Sequence, residues 1–399
     1  METVYDIIIA GGGIAGLYAA REFSKAKLKV LLVDQTSTLG STAWTPAITI
    51  EKFSLPKEGI NASFNEIILG TLKKEKKWIS KQNIGYVMDY KRMTSLILEQ
   101  AKTNGCAVFT ESTVNSLIKK NEEIIGINTS KGDFYGKYFI DATGAAGVLV
   151  SEVGLRKRVP CSPSVGIEIE VYDESQYLKK FDNAISVYFD RELFSCGYGW
   201  VSTNGQNKYK IGLGEFEYSS FKNHVNLELR LKKFVSLLFD NNQVKILEKH
   251  GGSIYAGPKF KVTNLFYKNL LGIGDTIGTI NPILGEGIRH ALYSSDFAVK
   301  SIIDNINKGE NLNNYEKMWK KYIGSRWEIS LLVSMALYEK NSQITQNFYD
   351  TFTKFIDYLD LNEIIQIAQE FNMNPLLRKF PQNIGVILAL LRARFLNFG

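Results

Sequence analysis

The sequence predicts an α/β fold made of two sheet-built lobes followed by a helical C-terminal region. Three observations carry that expectation. The apolar run "YDIIIAGGG" passes straight into a helical pattern, "IAGLYAAREFSKA". Period-two alternation dominates the middle of the chain, and from Asn313 the pattern is helical nearly to the end.

The first lobe opens with a βαβ unit: the strand before the glycines, the helix after them, and a second β-rich run, "LKVLLVDQ", that ends in an acid. "KRMTSLILEQAKTNG" is an amphipathic helix closed by Gly105. "CAVFTESTVNSLI" and "IIGINTSKGDFYGKYFIDATG" read as strands, the latter ending beside the first sheet at Asp141 to Gly144. "LKKEKKW", Leu72 to Trp78, reads as the solvated face of a helix.

From about Pro160 the texture changes. Val165, Ile167, Ile169 and Val171 alternate with Gly166, Glu168, Glu170 and Tyr172, and "AISVYFD" repeats the alternation. "YGWVSTNGQNKYKIGLGEF" forms a hairpin around "STNGQN". Successive period-two segments predict an antiparallel sheet with one covered face. A helix follows over Leu227 to Leu238, and "NLLGIGD" returns the chain to the first lobe. The expected division is residues 1–158 with 265–310 for a discontinuous nucleotide-binding lobe, 159–264 for an antiparallel-sheet substrate lobe, and 311–399 for the helical region. No internal repeat or low-complexity linker interrupts it.

A chain of 399 residues with 45% hydrophobic residues holds a large core and exceeds the usual size of one domain. Its net charge of +7 suits an anionic ligand or surface. No basic run is interleaved with aromatics, so nucleic acid is not an expected partner. Cys106, Cys161 and Cys196 are scattered without CxxC spacing, which argues against a disulfide framework and for a reducing cytoplasm. His224, His250 and His290 are equally dispersed, and no metal site is expected. No signal peptide precedes the first strand, and no apolar run reaches the roughly 18 residues of a membrane span.

Gly11, Gly13 and Gly16 stand in GxGxxG spacing directly after a strand and directly before a helix. The first glycine permits the tight turn, the second admits a pyrophosphate to the backbone, and the third allows close helix packing. The helix N-terminus turns its N–H groups and dipole toward the anion. Asp34, at the end of the next strand, is placed to bond ribose hydroxyls. A second glycine-dense turn, "IGDTIGTINPILGEGIRHAL" from Ile273, sets Asp275 at a strand tip and starts another helix near Gly287. Two such turns at opposite ends of the chain fit one long cofactor. FAD spans both, with adenosine at the first and the ribityl–isoalloxazine at the second, where the helix end favours an anionic reduced ring.

"GDTIGTINPILGEGI" resembles the GD-x-x-G-x-x-NP-x-x-GEGI segment of the geranylgeranyl reductase family, within the p-hydroxybenzoate hydroxylase-like flavoproteins. "GGGIAGLYAA", "DATGAAG", "GYGWVSTNG", "KIGLGEF" and "HGGSIYAG" extend the resemblance over most of the chain, in the family's order. The resemblance implies a Rossmann-like FAD-binding lobe and saturation of double bonds in geranylgeranyl chains of ether lipids or of pigment precursors. It also implies that Ala15, Asp34, Asp275, Gly285, Gly287 and Ile288 contact FAD and that Val114 lies near the adenine. The family's Tyr-x-Trp-x-Phe-Pro strand survives as Tyr198 and Trp200, followed by Val201, Ser202 and Thr203. Two aromatics at i and i+2 share one face of a strand, where they would wall a slot for an apolar polyene. Thr45 stands where the family carries a cysteine near the flavin. The family's Asp-Arg pair is Asp89-Tyr90 here, with Arg92 as the group expected to reach the pyrophosphate.

Reducing an isolated alkene takes a hydride and a proton in a dry site. No residue stands out in the sequence as the proton donor. The absence of a second dinucleotide motif leaves the electron donor open among ferredoxin-like proteins, reduced flavins and NAD(P)H. The C-terminal "NIGVILALLRARFLNFG", with Arg392 and Arg394, either rests on an anionic membrane face, as a peripheral contact from the cytoplasm, or packs on the core. Two other functions share these features: a flavin monooxygenase or epoxidase acting on an apolar substrate, and a non-catalytic FAD-stabilised lipid binder.

Overall fold

The structure is a computed structural model that describes residues 3–37, 50–156, 164–194, 196–216, 226–239, 245–254, 264–324, 326–338, 350, 353–354, 356–370 and 372–379. Its first sheet is built on β1 (Val4–Ala10), which pairs in parallel with β2 (Val30–Val33) and with β10 (Gly132–Asp141). β7 (Ala107–Phe109) extends the parallel set beyond β2, and β17 (Leu270–Gly272) extends it beyond β10, with the short β16 (Phe266–Tyr267) at that edge. A hairpin of β8 (Val114–Lys120) and β9 (Glu123–Thr129) joins through the early residues of β10.

Ile7, Ile8 and Ile9 read as an unbroken apolar run because both faces of β1 are covered. Ile7 and Ile9 pack under three helices, α1 (Ile14–Lys25), α2 (Tyr90–Thr103) and α5 (Ile288–Lys308). Ile8 and Ala10 pack against β8, β9 and the short α3 (Val148–Glu152).

The second sheet runs in the order β15 (Lys245–Ile254), β11 (Ser164–Tyr172), β14 (Lys208–Glu215), β13 (Gly197–Thr203), β12 (Ala184–Tyr188), β4 (Glu66–Thr71), β5 (Lys74–Ile79). All pairs are antiparallel except β12 with β4, which is parallel. The sheet thus draws two strands from residues 66–79, far upstream of the segment that supplies the rest. β3 (Ile60–Phe64) and β6 (Gly85–Met88) form a separate ribbon on either side of this insertion.

Two expectations are corrected here. The lysine-rich stretch Leu72 to Trp78 is not a helix face; Leu72 and Lys73 turn a hairpin and the rest is edge strand β5. Lysines on an edge strand resist pairing with another chain, so the charge run reflects an exposed edge. Trp78, buried amid those charges, donates its Nε1–H to the Leu359 carbonyl at 2.9 Å. The second sheet is also covered on both faces rather than one. Ile167, Ile169 and Val171 pack with Leu231, Phe234 and Val235 of α4 (Leu227–Leu238). On the opposite face Ile67, Leu69, Val187 and Tyr198 pack with Leu332, Val333, Leu337 and Tyr338 of α7 (Arg326–Tyr338).

Before α7 lies α6 (Asn313–Ile323), and after it α8 (Leu361–Glu370) and α9 (Asn374–Lys379). The C-terminal stretch with Arg392 and Arg394 falls outside the described residues. Among the described residues no helix is long and apolar enough to cross a membrane. Cys106 and Cys196 are buried free thiols, and burial pushes the Cys106 thiol up to about 11; Cys161 is outside the described residues.

Candidate functional site

The β1–α1 turn is shaped by contacts that exclude side chains. Gly11 holds a φ of +109°, and a Cβ there would lie 2.2 Å from the Ala142 carbonyl oxygen at the end of β10. A Cβ on Gly16 would lie 2.0 Å from the Gly11 oxygen. The space above Gly13 is open. Helix α1 begins there with no side-chain cap and no acid in its first turn, so its positive end is free to meet an anion. The first helical amide, Ile14 N–H, donates to the Tyr90 hydroxyl at 3.3 Å.

Asp34 closes this end of the site. Its Oδ2 accepts from Gly12 N–H at 2.6 Å, and its Oδ1 accepts from the Thr36 amide at 2.8 Å and the Thr36 hydroxyl at 2.5 Å. The carboxylate therefore braces the glycine turn, while Oδ2, which accepts one bond, keeps a lone-pair direction for a further donor.

The second turn lies between β17 and α5. Asn281 pins it, accepting from Ile283 N–H through its side chain at 2.8 Å and from Gly285 N–H through its backbone at 2.9 Å. Two tyrosines from other elements hold consecutive carbonyls: Tyr338 donates to Ile283 O at 2.5 Å, and Tyr198 donates to Leu284 O. Desolvation pushes the Asp275 carboxyl up to about 6 against the pull of the Arg156 guanidinium. Arg156 itself is buried and donates to the carbonyls of Ala145, Asp275 (3.3 Å) and Thr276 (2.8 Å), tying the β10 end to the second turn.

Glu286 behaves oppositely. Burial pushes its carboxyl up, but Arg289 at 3.0 Å and His290 at 3.2 Å outweigh that and hold it near 2. It also accepts from Arg289 N–H at 3.1 Å, completing the first turn of α5, whose N-cap is Gly287.

These pieces enclose one cavity of about 990 Å³ that runs from the glycine turn to the face of the second sheet. Gly11, Gly13, Ala15, Asp34, Val114, Asp275, Gly285, Gly287, Ile288, Tyr198 and Trp200 all line it. Gly16 lies behind the turn, packed on Gly11. Arg92 does not line the cavity: it is exposed on α2, and its backbone N–H serves the Asp89 cap at 2.9 Å. Tyr90 occupies the place expected of it. Thr45 lies outside the described residues. Trp200 lines the cavity with its ring laid along the sheet, since a Cβ on Gly212 would sit 2.3 Å from its indole.

Tyr90, Arg156 and Glu168 line or brace the site without having been expected there from the sequence. Tyr90 follows an Asp N-cap at the head of a helix, which was a usable signal. Arg156 carried none, and Glu168 looked like an ordinary solvent-facing member of an alternating strand.

The cavity fits a dinucleotide with a long polar linker. The open space over Gly13, at the uncapped start of α1, suits a pyrophosphate. Asp34 offers acceptors to a ribose at one end. Asp275 and the start of α5 lie at the other end, and the distal wall turns apolar with Ile67, Leu69, Ile185, Val187 and Phe216.

Residues 6–160 match the model of the FAD dependent oxidoreductase family. Over 98% of its length the chain is 25% identical to the digeranylgeranylglycerophospholipid reductase of Picrophilus torridus, the whole of which is covered. The protein of that name from Methanococcus vannielii is 27% identical over 80% of this chain and 83% of its own. Among solved structures, a geranylgeranyl bacteriochlorophyll reductase-like protein from Thermoplasma acidophilum superposes with a TM-score of 0.83 at 18% identity, covering 98% of this chain and 100% of that one. A flavin-dependent brominase superposes with a TM-score of 0.68 at 15% identity over 96% and 93% of the two chains, a likeness of fold. The chain is an FAD-dependent oxidoreductase, similar over nearly its whole length to digeranylgeranylglycerophospholipid reductases.

Proposed function

We propose that this protein saturates carbon–carbon double bonds of geranylgeranyl chains carried on ether-lipid precursors. The observation that carries this reading is the continuity of the cavity: the polar turns at Gly11–Gly13 and Asp275–Gly287 open without a partition onto the apolar face formed by Ile67, Leu69, Ile185, Val187, Tyr198 and Phe216. A long isoprenoid would lie along that face with a double bond brought to the cofactor. The names of the relatives support the same substrate class.

In this reading Gly11, Gly13, Ala15 and Asp34 hold the adenosine diphosphate portion of FAD, with Val114 beside the adenine. Asp275, Gly285, Gly287 and Ile288 hold the flavin end, and Tyr198 and Trp200 border the substrate. The first lobe, residues 1–158 with 265–310 apart from the 66–79 hairpin that joins the second sheet, serves the cofactor, and the second sheet serves the lipid. Bound FAD supplies the hydride once it has been reduced by an external electron donor. The apolar wall excludes water, so that charge developing on the alkene is met by fixed dipoles and aromatic faces. A lipid substrate also requires the cavity mouth to meet a membrane surface peripherally.

The test is anaerobic incubation of the reduced, FAD-bound protein with a geranylgeranylated glycerophospholipid, read by mass spectrometry. A gain of two hydrogens per bond is expected. An unchanged mass, followed by a gain of oxygen when air and a reductant are admitted, would overturn the reading in favour of a monooxygenase.

A further inference from the structure

The cavity face of the second sheet carries two adjacent rows of residues with contrasting character. In the first, Tyr198, Gly214, Gly166 and Gly252 lie side by side across β13, β14, β11 and β15. Three neighbouring strands are therefore bare backbone at that level, and all four residues line the cavity. The row forms a shallow trough, open to a flat chain and ended by the Tyr198 ring. Two residues along each strand, about 7 Å away, the second row reads Trp200, Gly212, Glu168, His250.

In this second row the Trp200 indole crosses β14 over Gly212 and donates its Nε1–H to Glu168 Oε2 at 2.7 Å. Glu168 is only 3% exposed yet lines the cavity. Its Oε1 has no hydrogen-bond partner within 3.5 Å and is ion-paired at 3.6 Å with the buried Lys210 Nζ. A buried carboxyl with one oxygen held by the indole and the other only loosely paired at the cavity wall is placed to exchange a proton through that second oxygen.

We propose that Glu168 is the acid that protonates the substrate alkene. The inference rests on the reductase reading above. One C–H bond forms from the hydride, which brings its electron pair from the reduced flavin. The other forms when the alkene's π pair takes the proton from Glu168 Oε1 and the O–H electrons stay on the oxygen. The product gains two hydrogens, the flavin is oxidised by two electrons, and Glu168 is left as a carboxylate. Trp200 Nε1–H and the Lys210 ammonium stabilise that carboxylate until solvent returns its proton.

The charges around Glu168 are compatible with this. Burial pushes its carboxyl up, and Lys210 from β14, Trp200 from β13 and His250 from β15 pull it down. On its own strand, Glu170 is engaged with Asn204 at 2.9 Å and Lys208 at 3.9 Å. The upward push favours the neutral acid, and Lys210, Trp200 and His250 favour its carboxylate.

The experiment uses full-length FAD-bound protein, reduced anaerobically and mixed with the geranylgeranyl lipid, following flavin reoxidation in a single turnover from about pH 6 to about pH 9. Wild type is expected to slow as pH rises. E168Q is expected to reoxidise about 100-fold more slowly with flavin binding intact. W200F, which keeps the acid but removes a donor to its carboxylate, is expected to move the falling limb of the profile to higher pH. A second readout needs no turnover: the infrared carbonyl band of a protonated carboxylic acid, present in the resting holoprotein and lost in E168Q. If E168Q does not fold, the W200F profile and the wild-type infrared titration decide. Wild-type rates in E168Q, or an unmoved limb in W200F, would overturn the assignment while leaving the reductase reading intact. A wild-type protein that does not reduce the lipid at all would overturn both.

Discussion

The hydroxyl of Tyr198, on β13 of the second sheet, donates to the carbonyl oxygen of Leu284 in the turn before α5. Tyr338 of α7 does the same for the preceding carbonyl, Ile283. Two phenols from different elements thus fix the backbone of the turn that borders the cavity before α5. Burial raises the Tyr198 hydroxyl well above its ordinary range, so the donor stays protonated at any working pH.

Y198F leaves the Leu284 oxygen without its donor, a loss worth about 1 to 3 kcal/mol for a buried carbonyl. The expected outcome is a lower melting temperature together with several-fold weaker flavin retention. The double variant Y198F/Y338F is expected to cost less than the two single changes summed, because both act on one turn. Thermal unfolding of the three variants, monitored by flavin fluorescence, checks this.

G16V drives a side chain into the Gly11 carbonyl, which a Cβ at residue 16 would approach to 2.0 Å. The β1–α1 turn must then shift and lose its fit to a pyrophosphate. The protein is expected to purify without its yellow colour while keeping its far-ultraviolet circular dichroism. Retention of stoichiometric flavin would show that the turn tolerates the intrusion.

Asp275 predicts a pH dependence of the cofactor-free protein. Its carboxyl is raised from 3.8 to about 6, so the folded state binds the proton more tightly than the unfolded chain. That contribution is fully present below about pH 4 and is lost as pH rises through about 6. D275N has no charge to desolvate and is expected to exceed wild type in stability at pH 8, on the order of 2 to 3 kcal/mol, and to match it near pH 4. Urea unfolding at the two pH values reads the difference.

Glu286 carries the opposite sign. With its carboxyl held near 2, it stabilises the fold above about pH 4.5 and withdraws that support as pH falls toward 2. E286Q leaves the half-buried Arg289 and the buried His290 facing a neutral amide and is expected to lose about 3 kcal/mol at pH 7. Equal urea midpoints for E286Q and wild type at that pH would refute the pairing.

Much of the first lobe was legible because its chemistry is local. A strand, three glycines at fixed spacing, a helix and an acid are all read within some 30 residues, and Asp34 bonds the turn it follows. The second turn was legible for the same reason. What sequence could not supply was placement across distance. Residues 66–79 join the second sheet through a pairing of Ile67 with Ile185, and no local pattern announces such a partner. Glu168 shares its alternation with a surface strand, and only the cavity in front of it changes its meaning. Arg92 carried the expected charge, yet the helix turns it to solvent and sets Tyr90 over the α1 terminus.

The parallel pairing of β4 with β12 has a consequence for how the chain is made. At about 5 to 20 residues per second, the β4–β5 hairpin leaves the ribosome on the order of ten seconds before the strand that covers its inner edge. For that interval Ile67, Ile68 and Leu69, all buried in the finished protein, present an apolar strand edge with no partner. Completion of the second sheet awaits a closure across more than a hundred residues, slow by its topology. Production of this protein should therefore be limited by aggregation of nascent chains before it is limited by the stability of the finished fold.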